Sequence, residues 1–225
     1  MLLPGDPARA LSVAQALLAP APRMFNHTRG LWGYSGTAPD GEPLTIQATG
    51  MGGPSAAIVC EELIALGATT LVRIGTCGAL DPDIELGTLL AAESVLPADG
   101  ASAALGAAAP LEPDPELLAR LVAAGARPAT IATSDLFYDP REDAARSWAE
   151  RGAVAVEMEA ATIFQIAACH GVAAACVLGV SDVPARAAGD AEIASADEAR
   201  RMSDDELAGL GVSVGRVGYE AVRSP

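Results

Sequence analysis

The chain contains no lysine; its 14 basic residues are all arginine. That excludes Schiff-base chemistry, a Walker-type phosphate lysine and any other reaction that needs an ε-amine. Histidine is almost as scarce. Only His27 and His170 occur, far apart in sequence, so a histidine-rich metal site is excluded, no metal is expected and neither is a Ser-His-Asp triad. Positive charge is outnumbered, with 29 acidic residues and a net charge of −15. This argues against binding to a phosphate backbone and predicts no nucleic-acid partner, while leaving room for a local basic pocket. The four cysteines (Cys60, Cys77, Cys169 and Cys176) form no CxxC pair and sit among small or apolar residues. They read as small buried hydrophobes of a reducing compartment. No apolar run reaches the ~20 residues of a membrane helix, and MLLPGDPARA has neither a basic leader nor a long apolar region. No membrane partner is expected, and the expected location is cytoplasmic.

What is present is ample core material. The chain has 225 residues, 51% hydrophobic, with mean hydropathy +0.30, enough to bury roughly 70% of the unfolded surface. Neither a linker nor an internal repeat divides it, so a single domain over residues 1–225 is expected.

Apolar runs alternate with amphipathic stretches, the pattern of an α/β protein. Strands are expected at Met1–Leu3, Leu44–Thr49, Thr70–Ile74, Leu89–Val95, Ala129–Thr133, Ala153–Val156 and Ala173–Val180. Helices are expected from the PGDP turn to about Leu18, then at Ser55–Leu66, Pro115–Ala124, Arg141–Arg151, Ala160–His170 and Ser203–Val222, the last with Ser203 as its N-cap. Strand 44–49, a glycine turn, helix 55–66 and strand 70–74 make one βαβ unit, hence parallel pairing. Asp99–Pro113 reads as loop or weak edge structure, and Pro184–Ala196 as a long flexible segment.

In open α/β sheets ligands bind beyond the carboxyl ends of strands. Five segments fall there: PGDPAR, GMGGPS, RIGTCG, EMEA and SD. Arg73 lies inside the apolar strand LVRIG, where a guanidinium is costly unless paired. It is either one half of a core salt bridge or the ligand of an anion, with Thr76 and nearby backbone N–H groups completing the cradle. Arg9 either faces solvent on its helix or reaches the same anion, and Gly5 lets backbone approach it. Glu157 and Glu159 flank Met158 at a strand end, as helix-terminus charges or as a clamp for vicinal hydroxyls. Asp182 closes a buried strand, either as a turn residue or as a general acid.

Taken together, LLPGDPARA, GMGGPS, VRIGTCGAL, SDLFY, VEMEAATIF and SDV, in this order and spacing, resemble the nucleoside phosphorylase family, which includes hexameric purine nucleoside phosphorylases and uridine phosphorylases. The resemblance runs from Leu2 to about Val183. It implies a three-layer α-β-α fold with a central mixed, largely parallel twisted sheet. It also implies phosphorolysis of the N-glycosidic bond of ribo- or deoxyribonucleosides, giving free base and pentose 1-phosphate. No cofactor is implied; inorganic phosphate is co-substrate to the nucleoside. By the same resemblance Gly5, Arg9, Arg73 and Thr76 bind phosphate, and Arg29 of NHTRG reaches the phosphate of a neighbouring subunit. Met51, Met158 and Glu159 hold the ribose, Phe137 and Val156 pack on the base, and Ser181 and Asp182 read and protonate it. The working protein is then a homo-oligomer, a dimer or a trimer of dimers, with shared active sites.

This sequence departs from the family pattern in places. The family's N-terminal histidine has no counterpart. The arginine that assists the catalytic aspartate in the purine branch is matched by Arg186, Arg200 or Arg201. After SDLFY the chain reads DPRED, with Arg141 but without the glutamine that uridine phosphorylases use to read uracil. With Asp182, this favours purine nucleosides and leaves uridine as the alternative. A nucleosidase of the same fold would lack Arg9, Arg29 and Arg73, and a non-catalytic nucleoside-binding relative would be expected to lose Asp182, Glu159 or an arginine.

Overall fold

The computed structural model describes residues 1–141, 143–184 and 200–223. The chain opens with β1 (Leu2–Leu3), α1 (Pro7–Leu17), β2 (Ala19–Asn26), β3 (Gly33–Thr37), β4 (Pro43–Gln47), α2 (Gly53–Ala65) and β5 (Thr70–Ala79). It continues through β6 (Leu89–Ala98), α3 (Gly100–Ala104), α4 (Pro115–Ala123), β7 (Arg127–Ser134), α5 (Ala144–Glu150) and β8 (Ala153–Glu157). The last elements are α6 (Ala160–His170), β9 (Ala173–Val183), β10 (Arg200–Arg201) and α7 (Asp204–Val222).

Local chemistry fixes several helix starts. Asp6 and Asp114 accept backbone N–H groups of α1 and α4, each with proline as the first helical residue, which needs no amide partner. Ser203 and Glu206 form a reciprocal capping box on α7. The apolar faces so aligned pack on both sides of one sheet. Val59, Cys60 and Leu63 of α2 and Ile163 and Ile166 of α6 cover one face. Val13 and Leu17 of α1, Leu121 of α4 and Val214 of α7 cover the other. Truncating one of these fully buried aliphatics to alanine costs about 2–5 kcal/mol.

The sheet is mixed and runs β10-β9-β6-β7-β8-β5-β1-β4-β3-β2. Parallel pairs join β4, β1, β5 and β9 in series, and β6, β7 and β8. Antiparallel pairs β5–β8 and β6–β9, with the additional β5–β9 pairing, close β5, β9, β6, β7 and β8 into a ring. This closure accounts for the clearest difference from the sequence reading. RIGTCG is not a turn after a strand that ends at Ile74; it is strand as far as Ala79, because Gly78 and Ala79 pair with Val156 and Ala155. In the same way β9 continues through Ser181 and Asp182 to Val183.

Three other expectations are corrected. No element is expected between about Leu18 and Leu44, yet β2 and β3 form there, β2 with Pro20 and Pro22 in it. β2 accommodates them by standing at the sheet edge, where missing N–H donors leave no ladder bond unmade. Within the stretch read as loop from 99, Asp99 caps the short helix α3 and Val95 bridges to Leu111. Cys60, Cys77 and Cys176 are buried as expected, but Cys169 is exposed on α6. The segment expected to be flexible falls, beyond Pro184, outside the described residues, and so does Arg186. Among the described residues no helix is long and apolar enough to cross a membrane.

Candidate active site

The five polar segments at the strand ends meet in one place, each bonded to another. The Gly50 amide donates to the Gly5 carbonyl at 3.0 Å, which zips PGDPAR to GMGGPS. Arg9 Nη2 lies 3.4 Å from Thr76 Oγ1, which links PGDPAR to RIGTCG. The Gly52 amide donates to Glu159 Oε1 at 2.5 Å, and Arg73 joins RIGTCG to EMEA. Ser181 Oγ donates to the Cys77 carbonyl at 3.3 Å, which brings in SD.

Arg73 is the centre of this arrangement. It is buried, with Nε donating to Glu157 Oε2 at 2.7 Å and Nη2 paired with Glu159 Oε2 at 2.6 Å. Its Nη1 is buried and has no partner among the described residues. Arg73 is therefore a core ion pair that also keeps one donor group without a described partner. Burial alone would lower its pKa, but Glu159 and Glu157 outweigh burial and hold it above the ordinary arginine value. Arg9 is pushed the other way, by burial and then by repulsion from Arg73. Arg9 therefore carries its charge against burial and a neighbouring guanidinium, and Arg73 keeps one N–H group without a partner among the described residues.

The two glutamates, alike in sequence, differ in situation. Glu157 accepts from the Thr133 hydroxyl, from the backbone amides of Glu159 (2.8 Å) and Ala160 (3.0 Å), and from Arg73. Among the described residues Glu159 accepts only from Gly52 and Arg73. Burial raises the Glu159 carboxyl above the usual carboxylate range; Arg73 opposes this and Glu157 adds to it. Glu159 thus has acceptor capacity to spare in a buried corner, whereas Glu157 has little.

At the other end, Asp182 on β9 stands opposite Gly78 on β5 and opposite Arg201 on β10. A Cβ on Gly78 would lie 2.8 Å from Asp182 Oδ1, and one on Gly75 2.8 Å from Arg73 Cζ. The glycines of RIGTCG are therefore required by close approach: one leaves room for the guanidinium, the other for the carboxylate. Ser181 Oγ also donates to Asp182 Oδ2 at 2.9 Å.

The remaining residues named from sequence lie further out. Met51 is 86% exposed, and Met158 is half-buried between the two glutamates. Phe137, on the loop after β7, is 63% exposed and packs edge-on against Tyr138 with ring centroids 5.0 Å apart. Val156 packs toward the small core around Trp148 and Leu80 rather than on that ring. Arg29 is exposed, in left-handed backbone (φ 56°), and makes no hydrogen bond or ion pair with a described residue. Within one copy of the chain it is not brought to Arg73.

Sequence reasoning named Glu157 beside Glu159 and the GMGGPS turn that holds Gly52, but it missed Thr133 as a member of the site. Thr133 carried no signal, because its part depends on where β7 comes to rest.

Residues 1–214 match the model of the phosphorylase superfamily. The chain is similar to a protein of Caldanaerobacter subterraneus subsp. tengcongensis named "Purine nucleoside phosphorylase DeoD-type", at 38% identity over 192 residues, covering 81% of this chain and 82% of that one. Proteins of the same name from Geobacillus kaustophilus (37% over 191 residues, 81% and 80%) and Roseobacter denitrificans (38% over 193 residues, 81% of each) are similar to the same extent.

Proposed function

The chain belongs to the phosphorylase superfamily, and we propose that it is a pentosyltransferase that cleaves purine nucleosides by phosphorolysis, giving free base and pentose 1-phosphate. The observation that carries this reading is the buried, unpartnered Nη1 of Arg73, beside Arg9 and one ion pair from the Glu159 carboxylate. Anion donors and a hydroxyl acceptor share one guanidinium, as a reaction that joins phosphate to a sugar requires.

In this reading phosphate is held by the Gly5 backbone, Arg9, Arg73 and Thr76, and Arg29 of a neighbouring copy completes the cradle. Glu159 accepts the ribose hydroxyls, with Met158 and Met51 against the sugar. Phe137 and Val156 flank the base, and Ser181 and Asp182 meet its N7 edge. A phosphate oxygen forms its bond to C1′ as the bond from C1′ to the base nitrogen breaks. The electron pair of that bond passes into the purine, and the Asp182 proton goes to N7. The arginine-held dianion stabilises the positive charge that grows on the sugar, and protonation relieves the negative charge on the base. Phosphate is the co-substrate and the residues need no organic cofactor for these steps.

Register supports Arg201, rather than Arg200, as the arginine that assists Asp182. Arg201 stands directly opposite Asp182, and directly opposed residues of an antiparallel pair share a face; Arg200 stands opposite Val183. The test is a panel of inosine, adenosine, guanosine, uridine and thymidine with and without phosphate. Purine nucleosides should be cleaved only with phosphate or arsenate. Equal base release without phosphate would replace phosphorolysis by hydrolysis, and good cleavage of uridine alone would move the substrate to the pyrimidine branch.

A further inference from the structure

Glu157 is the one buried carboxylate at the site whose oxygens are all spent on the protein itself. Its Oε2 accepts from Arg73 Nε at 2.7 Å and from the Glu159 amide at 2.8 Å, and Oε1 accepts from the Thr133 hydroxyl, with the Ala160 amide 3.0 Å from both oxygens. Thr133 Oγ1 in turn accepts the Ala161 amide at 3.0 Å. One carboxylate therefore touches both the arginine whose Nη1 has no partner among the described residues and the main chain of Glu159, whose carboxylate has acceptor capacity left. Because Nε and Nη2 of Arg73 are both taken by carboxylates, the guanidinium cannot rotate about its stem without breaking a buried ion pair. Its remaining donor, Nη1, is thereby fixed in direction.

We propose that Glu157 is a positioning residue that holds the phosphate and ribose subsites in register, acting through Arg73 Nε on one side and the Glu159 backbone on the other. This rests on the phosphorolysis reading, in which Arg73 meets phosphate and Glu159 meets the sugar. Attack on C1′ needs both partners in place within a few tenths of an ångström, so a loss of register appears in turnover more than in the binding of either substrate. Its length matters more than its charge. Glutamine at 157 can keep its oxygen on Arg73 and the Glu159 amide while its nitrogen donates to Thr133 Oγ1, which is free to turn its hydrogen away. Aspartate keeps the charge but retracts both oxygens by a methylene.

The experiment compares wild type, Glu157→Gln and Glu157→Asp for kcat, for both KM values and for the rise in Tm that inorganic phosphate produces. The expected result is a kcat about 10²-fold lower in the aspartate variant and about tenfold lower or less in the glutamine variant, with both KM values within about fivefold of wild type. A helix-capping role alone would lower Tm and leave kcat in place. An aspartate variant that is as active as wild type, or more active than the glutamine variant, overturns the positioning role. Should the aspartate variant fail to fold, Thr133→Val and Thr133→Ser replace it. Valine releases Oε1 and should lower kcat several-fold, serine should restore it, and a valine variant with wild-type kcat overturns the proposal. Wild-type turnover that does not need phosphate overturns the phosphorolysis reading, and this role with it, and is told apart from the other outcomes by the wild-type control alone.

Discussion

The two ends of the site are built differently. Around Arg73 the side chains are buried, held on β5, β8 and the start of α6, and among the described residues Nε and Nη2 of Arg73 are matched by carboxylates while Nη1 is not. Around Phe137 and Tyr138 the aromatic rings stand on a loop, largely exposed, and pack on one another. Asp182 lies between these extremes, half-buried on a strand but with its visible hydrogen bond to the adjacent Ser181. In the phosphorolysis reading the groups that meet charge in the transition state are these buried, mutually bonded ones, which is where preorganisation lowers the barrier most. In the same reading Phe137, which meets the base, sits on a loop that a rigid scaffold presents, the usual place for a selectable contact, while Val156, Ser181 and Asp182 stand on strands. Substitutions around Arg73 should therefore change turnover, and those around Phe137 should change affinity for the nucleoside.

The sharpest way to break this contrast is to remove the centre of the rigid end. Arg73→Met leaves Glu157 and Glu159 buried together without a cation. Breaking a buried pair in this way costs about 3–5 kcal/mol of stability. Loss of an anion donor that acts in the transition state should lower kcat/KM by at least about 10³-fold. Chemical denaturation and steady-state kinetics read the two effects, and phosphate-dependent turnover within tenfold of wild type would remove Arg73 from the chemistry.

Next in size is Glu159→Gln, which should lower kcat/KM by about 10²-fold, since hydroxyl contacts that tighten in the transition state lose a charged acceptor. It also carries a pH signature. Burial raises the folded-state pKa of Glu159 above its unfolded value. The folded protein then holds that proton more tightly than the unfolded chain. The contribution to stability is full below the unfolded pKa, declines as pH rises through the folded pKa, and is flat above it. Urea midpoints measured across the carboxylate range should show this decline in wild type and lose it in Glu159→Gln. An identical slope in both would assign the titration to another group.

Asp182→Asn tests the intermediate position. The expected loss is about 10²-fold in kcat for natural purine nucleosides, the usual weight of a general acid. It should shrink to a few-fold for a nucleoside whose base leaves unaided. Equal losses on both substrates would make Asp182 a structural residue beside Gly78 rather than a proton donor.

How much of this was legible beforehand follows the same division. The helices, the central strands and the site segments PGDPAR, RIGTCG and EMEA could be read because capping chemistry, apolar periodicity and an arginine inside an apolar strand are local signals. The ring closure could not, since the pairing of Gly78 with Val156 is a contact 78 residues apart that leaves glycine-rich sequence looking like a turn. Edge strand β2 could not be read either, and only its place at the sheet margin makes its prolines tolerable. The distinct duties of Glu157 and Glu159 were likewise hidden. Both are acids beside Met158, and only Thr133, arriving on β7, separates the one already saturated from the one with acceptors left.

The smallest expected effect is at the exposed end. Phe137 offers a ring that is 63% exposed and braced on one side by Tyr138. Stacking of a base on an aromatic side chain is worth about 1–3 kcal/mol, and an open ring backed by a single neighbour belongs at the lower end. Phe137→Ala should therefore raise the nucleoside KM by about five- to tenfold while leaving kcat and the phosphate KM within about twofold. Phe137→Tyr, which keeps the ring face, should restore the nucleoside KM. Inosine, guanosine and adenosine should suffer nearly alike, because every purine presents a π-face to the ring whatever its 6-substituent. A fall in kcat as large as that of Glu159→Gln would mean that the loop takes part in the transition state, and the contrast between a rigid charged end and an adaptable aromatic end would not hold.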